Sequence, residues 1–113
     1  MMVKKLLVSI LFISLLVVSC KKDNSTCDDA AVTYNGQIKT IFSGCTASGC
    51  HNSGSVSGSL ANYTDSKSFP LMSRMLGALR GTAGFSAMPQ GGTKLSDCDI
   101  SKVEKWINSG FPE

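Results

Sequence analysis

The sequence predicts an all-α domain, three to four helices joined by long Gly/Ser-rich loops. Two observations carry this. Apolar residues recur at helical spacing in three separate stretches, each bounded by start or stop signals. No apolar/polar alternation of strand length occurs in the 113 residues. A chain of this length makes one small domain. With 42% hydrophobic and 17% charged residues, it is neither a charged disordered chain nor a polytopic membrane protein.

The amino terminus reads as a targeting segment. Lys4 and Lys5 precede an apolar run from Leu6 to Val18. A spanning helix needs about 20 apolar residues, so this run has the length of a signal-peptide core. It closes with Val17-Val18-Ser19-Cys20, an ending that resembles the lipobox of bacterial lipoproteins. That resemblance implies cleavage before Cys20 and acylation of Cys20 with palmitate-type chains, and several chains on one residue anchor stably. Residues 1–19 are then the leader, 20–26 the lipidated cysteine and a polar tether, and 27–113 the domain. The expected place is the cell envelope, lipid-anchored to a bacterial membrane on its periplasmic or outer-surface side. Cleavage removes two of the eleven Lys and Arg and none of the eight Asp and Glu. The mature domain is close to neutral, which argues against a nucleic-acid partner held by charge.

The first helix is expected over Asn35 to Ser43, with Tyr34, Ile38, Ile41 and Phe42 on one face. The second is expected over Phe69 to Leu79, capped by Ser68 and with Pro70 in its first turn. Its apolar side carries Phe69, Met72, Leu76 and Leu79, and Gly81 and Gly84 follow its end. The third has Ser96 as N-cap, Asp97 and Asp99 in the first turn, and an apolar stripe of Ile100, Val103 and Ile107 beside Trp106. Gly110 is placed as the residue after its C-cap, and Pro112 follows. The longest loop is rich in Gly and Ser, notably over 53–59.

A mature chain of 94 residues buries a modest core and often needs a staple. With Cys20 assigned to lipid, Cys27, Cys45, Cys50 and Cys98 remain, and four cysteines allow three pairings. The segment Gly44-Cys45-Thr46-Ala47-Ser48-Gly49-Cys50-His51 carries the chemistry. A Cys followed at once by His, with a second Cys upstream, follows the logic of c-type haem attachment. Two thiols form thioethers with haem vinyl groups, and the adjacent His ligates the iron. Here four residues separate the cysteines where the usual signature has two; the small residues and Gly49 would let such a spacer bulge. The competing reading is a short Cys45–Cys50 disulfide with His51 at the surface. A Cys₂His₂ zinc site is disfavoured because His51 is the chain's single His.

The order of these features resembles the class I cytochrome c fold. In that family an amino-terminal helix precedes the haem turn, and a middle helix leads to a loop with the distal Met. A carboxy-terminal helix then packs on the first. Ser86-Ala87-Met88-Pro89-Gln90-Gly91-Gly92 resembles the Met-Pro-x-Gly-Gly loop of small bacterial cytochrome c domains, and Trp106-Ile107 with Gly110 resembles their final helix. The resemblance covers about residues 32–112. It implies one covalent haem c on Cys45 and Cys50, with His51 as proximal and Met88 as distal iron ligand. It implies an electron carrier, not an enzyme, that serves redox partner proteins of the envelope. In a fold that packs the end helices together, it also makes a Cys27–Cys98 bridge reasonable. Met88 is further favoured because Met72 and Met75 sit in a helical pattern, where Met is more often core filler. Those two are expected to pack against the first or last helix. A cavity is expected between His51 and Met88, lined by residues such as Leu60, Phe69, Leu76 and Phe85. Two alternatives stay open. One is a haem-free, helical binding or structural module stapled by Cys45–Cys50 and Cys27–Cys98. The other keeps haem but leaves Met88 off the iron, as a sensor or peroxidase-like site.

Overall fold

A computed structural model describes Cys27 and residues 31–113. The leader 1–19, Cys20 and the tether to residue 26 lie outside the described residues. Among the described residues the chain is helical and has no strand. A π-helical turn, Tyr34–Ile38, runs directly into α1, Lys39–Ser43. Three further helices follow: α2 (Tyr63–Lys67), α3 (Met72–Arg80) and α4 (Asp97–Asn108). No helix among the described residues is long and apolar enough to cross a membrane.

The first helical stretch begins where expected, but its first turn is wider than α. Thr33 caps it, its hydroxyl accepting from the Gly36 N–H at 3.0 Å. The Thr33 carbonyl accepts from both Gln37 (3.1 Å) and Ile38 (3.3 Å), the second being the i→i+5 bond of a π turn. Tyr34, Ile38 and Phe42 are buried on one face, with Ile41 partly buried beside them.

The middle of the chain differs from expectation. Ser68 is not an N-cap; it is the C-cap of α2, and its hydroxyl donates to the Thr64 carbonyl at 2.6 Å. Asn62 starts α2 by accepting from the Asp65 N–H at 2.9 Å. Residues 69–71 form a separate turn, with Met72 N–H bonding to Phe69 O at 3.1 Å, and α3 starts three residues later than the pattern suggests. Its buried positions are Met75 and Leu79, while Met72 and Leu76 are only partly buried.

α4 follows the sequence closely. Ser96 accepts from the Asp99 N–H at 3.0 Å, and Asp97 and Asp99 occupy the first turn beside the helix's positive end. Gly110, one residue past the cap, is left-handed at φ 81°. Trp106 lies on the buried stripe itself, with Ile100 and Val103, and Ile107 is the partly buried flank. Trp106 is fully buried, and at about 25 cal/mol/Å² a burial of that size contributes about 4–6 kcal/mol.

α4 packs against both the π turn and α3. The carboxy-terminal tail then folds back over it. The Pro112 carbonyl accepts from Tyr34 N–H and from Trp106 Nε1–H, each at 2.9 Å. The Tyr63 hydroxyl donates to Phe111 O at 2.8 Å, and the Phe111 ring stands edge-on to Trp106 with centroids 5.0 Å apart. A disulfide joins Cys27 to Cys98, tying the start of the domain to the first turn of α4 across 71 residues.

Candidate functional site

The turn after α1 is held by backbone bonds. Cys45 N–H donates to Phe42 O at 2.8 Å, Cys50 N–H to Ala47 O at 2.9 Å, and His51 N–H to Cys45 O at 2.9 Å. The four-residue spacer bulges with Gly49 at φ 81°, and the last of these bonds closes it, bringing His51 back beside Cys45. Leu60 N–H then donates to the His51 carbonyl at 2.9 Å, so the backbone of His51 is fixed on both sides.

The imidazole is oriented as well. His51 Nδ1 lies 3.1 Å from the Gly58 carbonyl oxygen. A carbonyl can only accept, so Nδ1 is the donor, and in the neutral tautomer this contact selects the lone pair lies on Nε2. Phe69 stands edge-on to the ring with centroids 5.1 Å apart. Gly58 has φ 94°, and a Cβ there would lie 2.8 Å from Phe69 Cε2 and from Pro70 Cδ. Only glycine lets the loop pass this close while its carbonyl meets His51.

A cleft of about 250 Å³, or about 880 Å³ counting its open mouth, opens beside His51. Phe42, Leu60, Phe69, Met75 and Leu79 give it an apolar floor, and Cys45, His51 and Met88 all face it. Leu71, Arg74, Ala78, Phe85, Ser86 and Gln90 complete the lining. Met88 is placed by its own backbone: its N–H donates to Ala78 O of α3 at 3.0 Å, and the Met88–Pro89 peptide is cis. Phe85 seats against Gly77, where a Cβ would come within 2.8 Å of the ring, and the Arg74 guanidinium lies over the ring, 5.6 Å from its centre.

Three of the four expected lining residues are present, Leu60, Phe69 and Phe85; Leu76 packs against the core instead. The expectation for Met75 is corrected. It is buried and lines the cleft, on the same face of α3 as Ala78 and Leu79. Met72 stays on the core side. The Cys45–Cys50 bridge that the haem-free alternative invokes is not formed: both are free thiols. The bulged turn leaves Cys45 half-buried in the cleft wall and Cys50 exposed and outside the lining. Burial pushes the Cys45 thiol above its ordinary 9.0, and the neighbouring Cys50 acts in the same direction.

Among the described residues no three His, Cys, Asp or Glu side chains converge as a metal-ion cage. Haem iron asks for less, since the porphyrin supplies four nitrogens and the protein only axial ligands. The donor set fits that requirement: one oriented imidazole, a thioether and a free thiol in the same apolar lining, with a second free thiol exposed just outside it. Gly58 and Met75 escaped sequence reading. Gly58 lies in a Gly/Ser tract with nothing to single it out, and which face of α3 meets the cleft is set by packing, not by its period. α2 did leave a signal, Asn62 with Asp65 three residues on, the pattern of a capped first turn. No protein-family model, curated protein or solved structure matches this chain.

Proposed function

We propose that residues 27–113 form a cytochrome c-like domain carrying one covalent haem c, and that the protein is an electron carrier anchored through lipid on Cys20. The observation that supports this best is the single apolar cleft shared by Cys45, His51 and Met88. Cys45 and Cys50 would hold the group by thioethers, His51 Nε2 would be the proximal ligand and Met88 sulfur the distal one. When bound, the haem supplies a one-electron couple at its iron. The chain's residues do the rest. Gly58 fixes the His51 tautomer and strengthens the ring as a donor. Phe42, Leu60, Phe69 and Leu79 keep water from the site. Met88, a soft thioether on a loop hydrogen-bonded to α3, would favour the reduced state and close the iron to other ligands. Such a site exchanges electrons with redox partners of the envelope and performs no catalysis.

Purified wild-type protein is expected to be red, with haem that resists acid–acetone extraction. Oxidised protein should show the weak sulfur-to-iron charge-transfer band, and Met88→Ala should erase it and let carbon monoxide bind the reduced form. A colourless wild type refutes the reading. Free carbon monoxide binding by the wild type refutes the role of Met88 and favours the sensor or peroxidase-like alternative.

A further inference from the structure

The two cysteines of the turn stand in different surroundings. Cys45 lies just past the Gly44 C-cap of α1, its N–H bonds back to Phe42 O at 2.8 Å, and it is half-buried in the cleft lining. One backbone bond of 2.9 Å ties its carbonyl to the N–H of His51. Cys50 is exposed, lies outside the cleft lining, and is held in its turn by the bond to Ala47 O. Both thiols are free in a chain whose other described pair is bridged.

We infer that Cys45 is the primary covalent attachment point of the cleft, and that Cys50 attaches only once the 46–50 turn has opened. This rests on the haem reading above. The Cys45 thiol adds across the carbon–carbon double bond of a haem vinyl group. A C–S bond forms, the S–H bond and the vinyl π bond break, and the thiol hydrogen goes to the neighbouring carbon. No electron is gained or lost, so no oxidant or reductant is consumed. A thiol already held in the cleft wall beside the iron-binding imidazole reacts within one complex, where orientation dominates the rate. Cys50 has no such placement and must first lose its turn bond.

The test uses the full chain matured in a bacterial host with c-type attachment machinery. Wild type, Cys45→Ala and Cys50→Ala are compared by intact mass after denaturation and by the pyridine haemochrome spectrum, which reports how many vinyl groups remain. Cys50→Ala should keep covalent haem within about threefold of wild type, singly linked, while Cys45→Ala should fall about tenfold or more. A second measurement does not depend on the variants folding. In the haem-free wild-type chain with its Cys27–Cys98 bridge formed, iodoacetamide should modify Cys50 at least about tenfold faster than Cys45. Equal alkylation rates, or equal covalent haem in the two variants of a red wild type, overturn this inference alone. A colourless wild type overturns the haem reading and this inference with it.

Discussion

Gly58→Ala is the substitution that most directly loads the site. Two costs combine at this position. The backbone at φ 94° is one that side chains rarely adopt, a strain of about 1–3 kcal/mol. The new Cβ also meets Phe69 Cε2 and Pro70 Cδ at 2.8 Å and Pro70 Cγ at 2.9 Å, overpacking that costs about 1–3 kcal/mol. Together they give about 2–6 kcal/mol, a large part of the stability of a small domain. Gly54→Ala separates the two. Gly54 has φ 85° and nothing within 4 Å of its Cβ position, so it carries the strain without the clash. Denaturant unfolding followed by helix signal should show Gly58→Ala losing about 1–3 kcal/mol more than Gly54→Ala. The relief of the clash should also draw the Gly58 carbonyl off His51 Nδ1, and NMR of the imidazole nitrogens should show the tautomer preference weakening. Equal losses in the two variants, with an unchanged imidazole, would refute the claim that this loop positions the ring.

Two further outcomes are expected. The folded chain holds the Cys45 proton at a pH where the unfolded chain has released it. Stability of the haem-free form should therefore be intact below about pH 9 and decline as pH rises through the folded-state value. Cys45→Ser should remove that part of the slope, and an identical slope in its denaturant midpoints would contradict the burial argument. Replacing Cys27 and Cys98 together by Ser releases a loop closed over 71 residues, which should cost about 4 kcal/mol through the unfolded state. A loss below about 1 kcal/mol in calorimetry would show that the bridge constrains little.

Much of the helical skeleton was legible because its signals are local. Ser96 with Asp97 and Asp99, the Ile100–Val103 spacing and Gly110 specify α4 through caps and period alone, and each is where the chain puts it. The Tyr34, Ile38 and Phe42 face is legible for the same reason. The pattern failed at 62–71, where two short elements meet. Ser68 can cap either direction, and its hydroxyl goes to Thr64 O of the preceding helix. Phe69 fits the helical period yet sits in a turn, because its burial against the cleft and His51 sets its place, not the period.

The sequence by itself determined an all-α class, an adjacent Cys50-His51 pair with Cys45 upstream, and a short list of sulfur donors. Those follow from composition and nearest-neighbour spacing, which need no knowledge of the rest of the chain. Only the tertiary structure decided that Cys45, His51 and Met88 share one cleft, that Met75 joins its lining, and that Cys50 stays outside. It also decided that Gly58 holds the imidazole, that Cys27 pairs with Cys98, and that Pro112 binds both Tyr34 and Trp106. Most of these join residues far apart along the chain, and the two short-range ones, His51 with Gly58 and Trp106 with Pro112, close over irregular backbone with no periodic signal. Which carbonyl or side chain lies opposite is then set by how the helices pack around Trp106, and no local propensity encodes that.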